Sequence, residues 1–276
     1  MAFSVLTNVT SLGAQNNLAK TSQRLSANIS RLSSGKRINR SSDDAAGLAI
    51  SSKMNAHLRG LAQAKRNAYD GVSLLQTAEG ALSEMNGLLT RMRELAVQAA
   101  TGGTLVTSDR SALNQEFQAL ESEIDRIVNV TQYNGQALLN GAMSSGVDFQ
   151  VGILNSDNDR INLAVATSGS VSLGTGSSTL TTAAASRDAI TALDTAIQNV
   201  ATRRNNLGAL QNRLEVTISN LGTIHENLSA ANSRIEDVDV AAETAAMSQN
   251  QILMQAGISV LGQANQIPSM VLSLLG

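Results

Sequence analysis

Over most of this chain the large apolar residues recur at alternating spacings of three and four. Between Ile50 and Ala99 the beat runs through Met54, Leu61, Ala68, Leu75, Leu82, Leu89 and Met92 almost unbroken, with His57 and Gly71 in the same frame. About seven heptads in phase predict a single helix roughly 75 Å long at 1.5 Å per residue. "TGGT" ends it, with Gly102 placed to cap the last turn. A shorter helix follows "SDRS", where Ser108 or Asp109 can cap it. Its stripe of Leu113, Phe117, Leu120, Ile124 and Ile127 predicts that it folds back on the first helix.

"QYNGQALLNG" is rich in turn residues, and beyond it the period changes to two. Val147, Phe149, Val151 and Ile153 alternate with small or polar residues, and Ile161, Leu163 and Val165 do so again after "NSDND". This pattern predicts a β-hairpin with a polar loop. Residues 167–186, dominated by Ser, Thr, Gly and Ala, read as a surface connection. From about Arg187 to Ile235 the helical beat returns through Ile190, Leu193, Ile197, Val200, Leu207, Leu214, Leu221 and Leu228. Arg204, Gln211, His225 and Asn232 fall in the same frame, so a shifted stripe or buried polar pairs are expected there.

Both ends carry a coiled-coil seam. Leu18, Leu25, Ile29 and Leu32 mark the first; Leu253, Gly257, Val260, Ala264, Ile267, Val271 and Leu274 mark the last. Ten buried side chains contribute about 15–30 kcal/mol gross, whereas ordering the backbone costs about 1–2 kcal/mol per residue. Alone, the uncharged tail from Gln249 to Gly276 is expected to be largely unstructured. Pro268, the only proline, is expected to remove one helical hydrogen bond and bend the last turns.

The fold class expected is therefore mainly α: a long antiparallel helical rod or coiled-coil domain with a small β-hairpin, plus terminal helices that form an inner coiled coil on assembly. Its parts are an N-terminal core helix (1–42), a rod (43–166 and 187–235) interrupted by the surface loop 167–186, and a C-terminal core helix (236–276).

Composition sharpens this reading. Aromatic residues make up 2% of the chain and Trp is absent, so the core must be built from aliphatic and Ala side chains. The absence of Cys excludes disulfides and thiolate chemistry. Residues 1–42 hold six basic side chains and no acid, but no aromatics interleave for base stacking, which argues against nucleic acid. That end superficially suits a transit peptide, yet its heptad spacing suits a structural helix better, and no apolar run marks a cleaved secretory signal.

Catalytic chemistry has no foothold. His57 and His225 sit within helical stripes with no metal-ligand spacing. "SSGKRIN" lacks the rest of a phosphate loop, and Asp157 and Asp159 in "NSDNDR" lack the glycine and distal glutamate of a calcium loop. No enzyme activity, cofactor or metal is expected.

"RLSSGKRINRSSDDAAGLAISSKM" (31–54) closely resembles the N-terminal region of bacterial flagellin, here in a short form. The likeness recurs in "RELAVQAATG", "QYNGQALLNG", "SRIEDVDVAAETAAMSQNQIL" and the final "VLSLL". The resemblance implies an extracellular filament subunit for swimming motility. It further implies export through the flagellar type III apparatus without a cleaved signal, and outer domains reduced to residues 167–186. The partners implied are further copies of itself, an export chaperone at the C-terminal tail, and the cap and hook–filament junction proteins.

Core packing between subunits is then expected at Leu18, Leu25, Ile29, Leu32, Leu253, Val260, Ile267, Val271 and Leu274. Flagellins detected by a vertebrate innate immune receptor imply contacts at Arg91, Leu95 and Glu116; packing between adjacent subunits also accounts for Leu95. O-linked sugars are implied at Ser168, Ser170, Ser172, Thr175, Ser177, Ser178 and Thr179, against an unmodified solvated loop. Two alternatives remain. One is the hook–filament junction protein, which shares the terminal helices. The other is a membrane-active amphipathic protein, which would need cations beside the apolar face of the tail; none are there. Membrane insertion is not expected.

Overall fold

A computed structural model describes residues 7–103 and 105–275, with 267–275 as backbone only. In order, the elements are α1 (Val9–Ser34), α2 (Ala45–Ala99), α3 (Thr107–Val130), the strands β1 (Gln132–Tyr133), β2 (Gln136–Ala137), β3 (Val147–Gln150) and β4 (Arg160–Leu163), then α4 (Ser170–Leu173), α5 (Ala183–Glu236) and α6 (Val240–Leu275). The chain divides into two compact units, one of residues 57–226 and one of residues 1–56 with 227–276, so α2 and α5 each contribute to both.

In the 57–226 unit, α2, α3 and α5 enclose one aliphatic core. Leu75, Leu82, Met85, Leu89, Met92 and Leu95 of α2 meet Phe117 and Ile124 of α3 and Leu193, Val200 and Leu214 of α5. The ion pairs Arg93–Asp194 and Arg204–Glu79 show that α2 and α5 run antiparallel. The frame break expected in α5 is resolved locally: Arg204 pairs with Glu79 at 3.5 Å.

The α2 terminus departs from expectation. Gly103, not Gly102, holds the left-handed conformation (φ 86°). The Arg110 guanidinium donates to the carbonyls of Ala99 (3.2 Å), Thr101 (2.8 Å) and Leu105 (3.3 Å), satisfying acceptors that a helix end leaves open. At the start of α3, Asp109 reaches back to accept from the Val106 N–H.

The hairpin pairs Val147 with Leu163 and Phe149 with Ile161, and these residues turn toward the core. Asp148 and Asn162 bond on the other face at 2.7 Å. The strands are shorter than the alternation suggested, because Val151 and Gly152 both donate to the Asp159 carbonyl and close the ladder early. In "QYNGQ" the turn residues form a second small hairpin, with Asn134 (φ 50°) and Gly135 (φ 79°) both left-handed, as a two-residue turn requires.

The segment 167–186 is not a solvated loop. Leu173 and Leu180 are buried anchors. Asp125 accepts from the N–H and hydroxyl of Ser170, both at 2.8 Å, and Asn114 accepts from the Leu180 N–H. Arg203 donates to Ser168 and Ser172. Ser168, Ser170 and Thr175 are consequently buried and closed to glycosylation on the folded chain, whereas Ser172 and Ser177 are exposed and Ser178 and Thr179 are half-buried.

Candidate assembly interface

The unit formed by 1–56 and 227–276 is organised around an antiparallel pairing of α1 with α6. Asn8 caps α1 by accepting from the Ser11 N–H at 3.0 Å, and its amide donates to the Ala264 carbonyl at 2.8 Å. Ser11 donates to Asn265 at 2.8 Å, Asn250 to Asn28 at 3.4 Å, and Arg31 pairs with Glu243 at 3.6 Å. These polar steps alternate with apolar ones: a Cβ added at Gly257 would lie 3.2 Å from Leu18 Cδ1, and Ala264 is buried. Buried polar pairs in a helical seam fix register, because a slip would strand them without partners.

The tail is thus helical within a single chain, contrary to the expectation that it orders only among copies. Isolated, the tail does not offset its backbone entropy, but in the chain α1 covers one of its faces. The helix also runs through position 268 without interruption.

Much apolar surface nevertheless remains open. Leu18, Leu25 and Leu32 are half-buried, but Ile29 is 50% exposed, Ile252 66%, Leu253 46% and Val260 54%. The side chains of Ile267, Val271 and Leu274 lie outside the described residues.

At the other end of this unit, the connector between α1 and α2 is bound to the junction between α5 and α6. The Arg37 N–H donates to the Glu236 carbonyl at 2.6 Å, the Val238 N–H to the Gly35 carbonyl at 3.0 Å, and Arg37 Nη2 to the Ile235 carbonyl at 2.8 Å. The Glu236 carboxylate is buried here. It is paired with Lys36 and accepts from Ser51 at 2.5 Å, Asn55 at 3.1 Å and Asn232 at 3.3 Å. Lys36 and, next, the Ser51 hydroxyl hold its pKa at about 2, well below the ordinary 4.5. Sequence reading missed this cluster; its only trace was the interruption of the heptad beat at "RIEDVDV".

In the 57–226 unit, Arg91 and Glu116 are exposed and joined at 2.9 Å, with Glu94 on the other side of the guanidinium at 3.0 Å. Leu95 does not share that surface. It is 1% exposed and packs in the core, so it is withdrawn from the set of surface contacts.

His57 is half-buried and His225 exposed. Among the described residues no cluster of His, Asp or Glu has the makings of a metal site, and no helix is long and apolar enough to cross a membrane.

Comparison with known proteins agrees with this architecture. Residues 5–144 match the family model for the bacterial flagellin N-terminal helical region, and residues 190–275 match that for the C-terminal helical region. A flagellin of Halalkalibacterium halodurans is 46% identical over 97% of this chain and 98% of its own length. A flagellin of Bacillus subtilis is 42% identical over 97% and 98%. The crystal structure of Bacillus cereus flagellin superposes with a TM-score of 0.50 at 33% identity, covering 60% of this chain and 94% of that one. Two long antiparallel helices, a small hairpin, paired ends with open apolar faces and relatives matched end to end leave one assignment: the chain belongs to the flagellins, the structural, non-enzymatic family whose subunits build the extracellular filament of the bacterial flagellum.

Proposed function

We propose that the α1–α6 pair is the part of the subunit around which identical copies close, with Leu18, Leu25, Ile29, Leu32, Leu253 and Val260 packing between subunits and Ile267, Val271 and Leu274 continuing the seam. The observation that carries this reading is the aliphatic surface left open after the two helices have paired within one chain. Large exposed apolar patches are uncommon on subunits that act alone and mark interaction surfaces.

Ile29→Asp tests it. The side chain is half exposed in the free chain, so the charge is tolerated there, but it would be desolvated between copies. Losing about 1.5–3 kcal/mol of burial raises the critical concentration for polymerisation at least about tenfold. Seeded sedimentation measures this; an unchanged critical concentration would refute the reading.

The same open face of α6 suits the groove of an export chaperone, since an amphipathic helix docks by its apolar stripe. Loss of residues 249–276 would then remove chaperone co-elution. Engagement with the cap and junction proteins uses the surfaces that a terminal subunit leaves unpaired, and mixed-assembly assays with Ile29→Asp would show whether it shares this seam.

A second reading concerns the α2–α3 face. Arg91, fixed between Glu94 and Glu116 on a rigid helix pair, offers the vertebrate innate receptor a preorganised charged contact. The monomer is expected to activate a receptor reporter and Arg91→Ala to weaken the response several-fold. An inert parent, or an unaffected variant, would count against it.

A further inference from the structure

Glu236 stands apart from the other acids of its unit because its carboxylate is contacted by four side chains, one of them a cation. Lys36 lies on the connector, Ser51 and Asn55 on α2, and Asn232 one turn earlier on α5. Oε1 faces the ammonium, and Oε2 collects the hydroxyl and both amides. A proton added to the carboxylate cancels the charge that holds the Lys36 ammonium, the side-chain contact that reaches the connector. The carboxylate's own backbone carbonyl holds the Arg37 N–H, so loss of the side-chain contacts bears directly on the link between connector and junction.

The remaining charges around the junction are engaged elsewhere or point away. Arg37 is held by the Ile235 carbonyl. Asp239 caps α6 through the N–H groups of Ala241 and Ala242. Asp237 is exposed, and Arg31 and Glu243 pair with each other. On the connector, Asp43 accepts from the N–H groups of Asn39 and Arg40, and these backbone bonds lower its pKa too.

We propose that the Glu236 carboxylate is an acid-released latch: it fastens the α1–α2 connector to the α5–α6 junction, and its protonation frees the connector while the 57–226 core stays folded. This deepens the assembly reading by naming a control on the terminal-helix unit, but it is a property of the single chain. It can therefore fail while polymerisation stands, and the reverse.

The sign follows from linkage. A carboxylate near 2 in the fold and at 4.5 when released binds fewer protons when folded. Its contribution is complete above about pH 4.5 and is lost as pH falls toward 2.

Because the chain contains no Cys, two introduced thiols can be labelled uniquely. Spin labels at Ser41→Cys on the connector and Ala241→Cys on the first turn of α6, both exposed positions, report the distance between the two segments in the full chain. The parent is expected to give a narrow distribution at pH 7 that broadens between pH 4.5 and 2. Glu236→Gln mimics the protonated state, since it removes the charge that pairs with Lys36. It should be broad already at pH 7 and insensitive to acid. Lys36→Gln, which keeps the carboxylate but removes its main partner, should move the parent's acid transition upward by about one pH unit. Asp43→Asn, a neighbouring acid outside the latch, should leave that transition in place.

Far-UV circular dichroism checks that the 57–226 helices persist in each case. A Glu236→Gln chain that is narrow at pH 7 and broadens at the parent's midpoint would overturn the proposal. So would a Lys36→Gln midpoint identical to the parent's, whatever the fate of the first variant.

Discussion

Removing residues 249–276 is expected to abolish filament growth and leave the 57–226 core folded. The deletion cuts α6 after its first turns and takes with it Leu253, Gly257, Val260 and Ala264, together with Asn250 and Asn265, which fix its register against α1. Among the described residues the fully buried members of that core end at Leu214, with Ile218 packed against them, well before the deleted segment. The helical signal and main thermal transition of that unit should therefore survive. What disappears is the open apolar face and the partner of α1. Leu253 and Val260 alone, at about 1.5–3 kcal/mol each, amount to at least about 3 kcal/mol per subunit, or about two orders of magnitude in critical concentration, before the loss of the helix that α1 packs on is counted. No sedimentable polymer should form at any practical concentration, with or without seeds. Normal filaments from the truncated chain would show that assembly runs through some other surface.

The opposite dissection is Phe117→Ala. Phe117 is fully buried on α3 and is one of only three Phe in the chain. The core is built chiefly of Leu, Ile, Val, Met and Ala, with Phe149 and Tyr133 packed at its margin, and Phe117 is the one fully buried ring among the described residues. Truncation of a buried Phe costs about 3–5 kcal/mol, the transfer free energy plus that of the cavity. Chemical denaturation followed by circular dichroism should show a loss of this size in the 57–226 unit. The α1–α6 hydrogen bonds lie in the other unit and do not involve the site. A loss below about 1 kcal/mol would mean that the core collapses freely around the vacancy, in conflict with its dense helix packing. Together the two variants separate what makes the subunit a folded body from what makes it polymerise.

The register of the terminal pair bears on both. Ser11 and Asn28 are buried polar residues in a seam that heptad reading treats as apolar. Their partners, Asn265 and Asn250, are polar interruptions of an otherwise largely apolar tail. Such pairs add little net stability, since each exchanges water for protein, but they penalise a shifted pairing. An apolar tail meant for repeated association needs such discrimination, because Leu and Val alone accept many registers.

By itself the sequence determined the periodic elements, the long helices and the hairpin, and, through several long motifs, the family. Those features depend on side-chain spacing along one element, which the order of residues states directly. Tertiary structure alone decided the rest. The segment 167–186 became packed because Asp125, Asn114 and Arg203, distant in the chain, supply its hydrogen bonds, and a Ser/Thr-rich stretch looks solvated until such partners are known. Leu95 moved from an expected surface to the core because its helix meets α3 and α5 along that stripe. Glu236 gained its role because three separate segments converge on one carboxylate, and no spacing within any one of them encodes that meeting. The physical reason is common to all three: burial and charge pairing depend on which surfaces come together in space, and local periodicity names a face without naming what covers it.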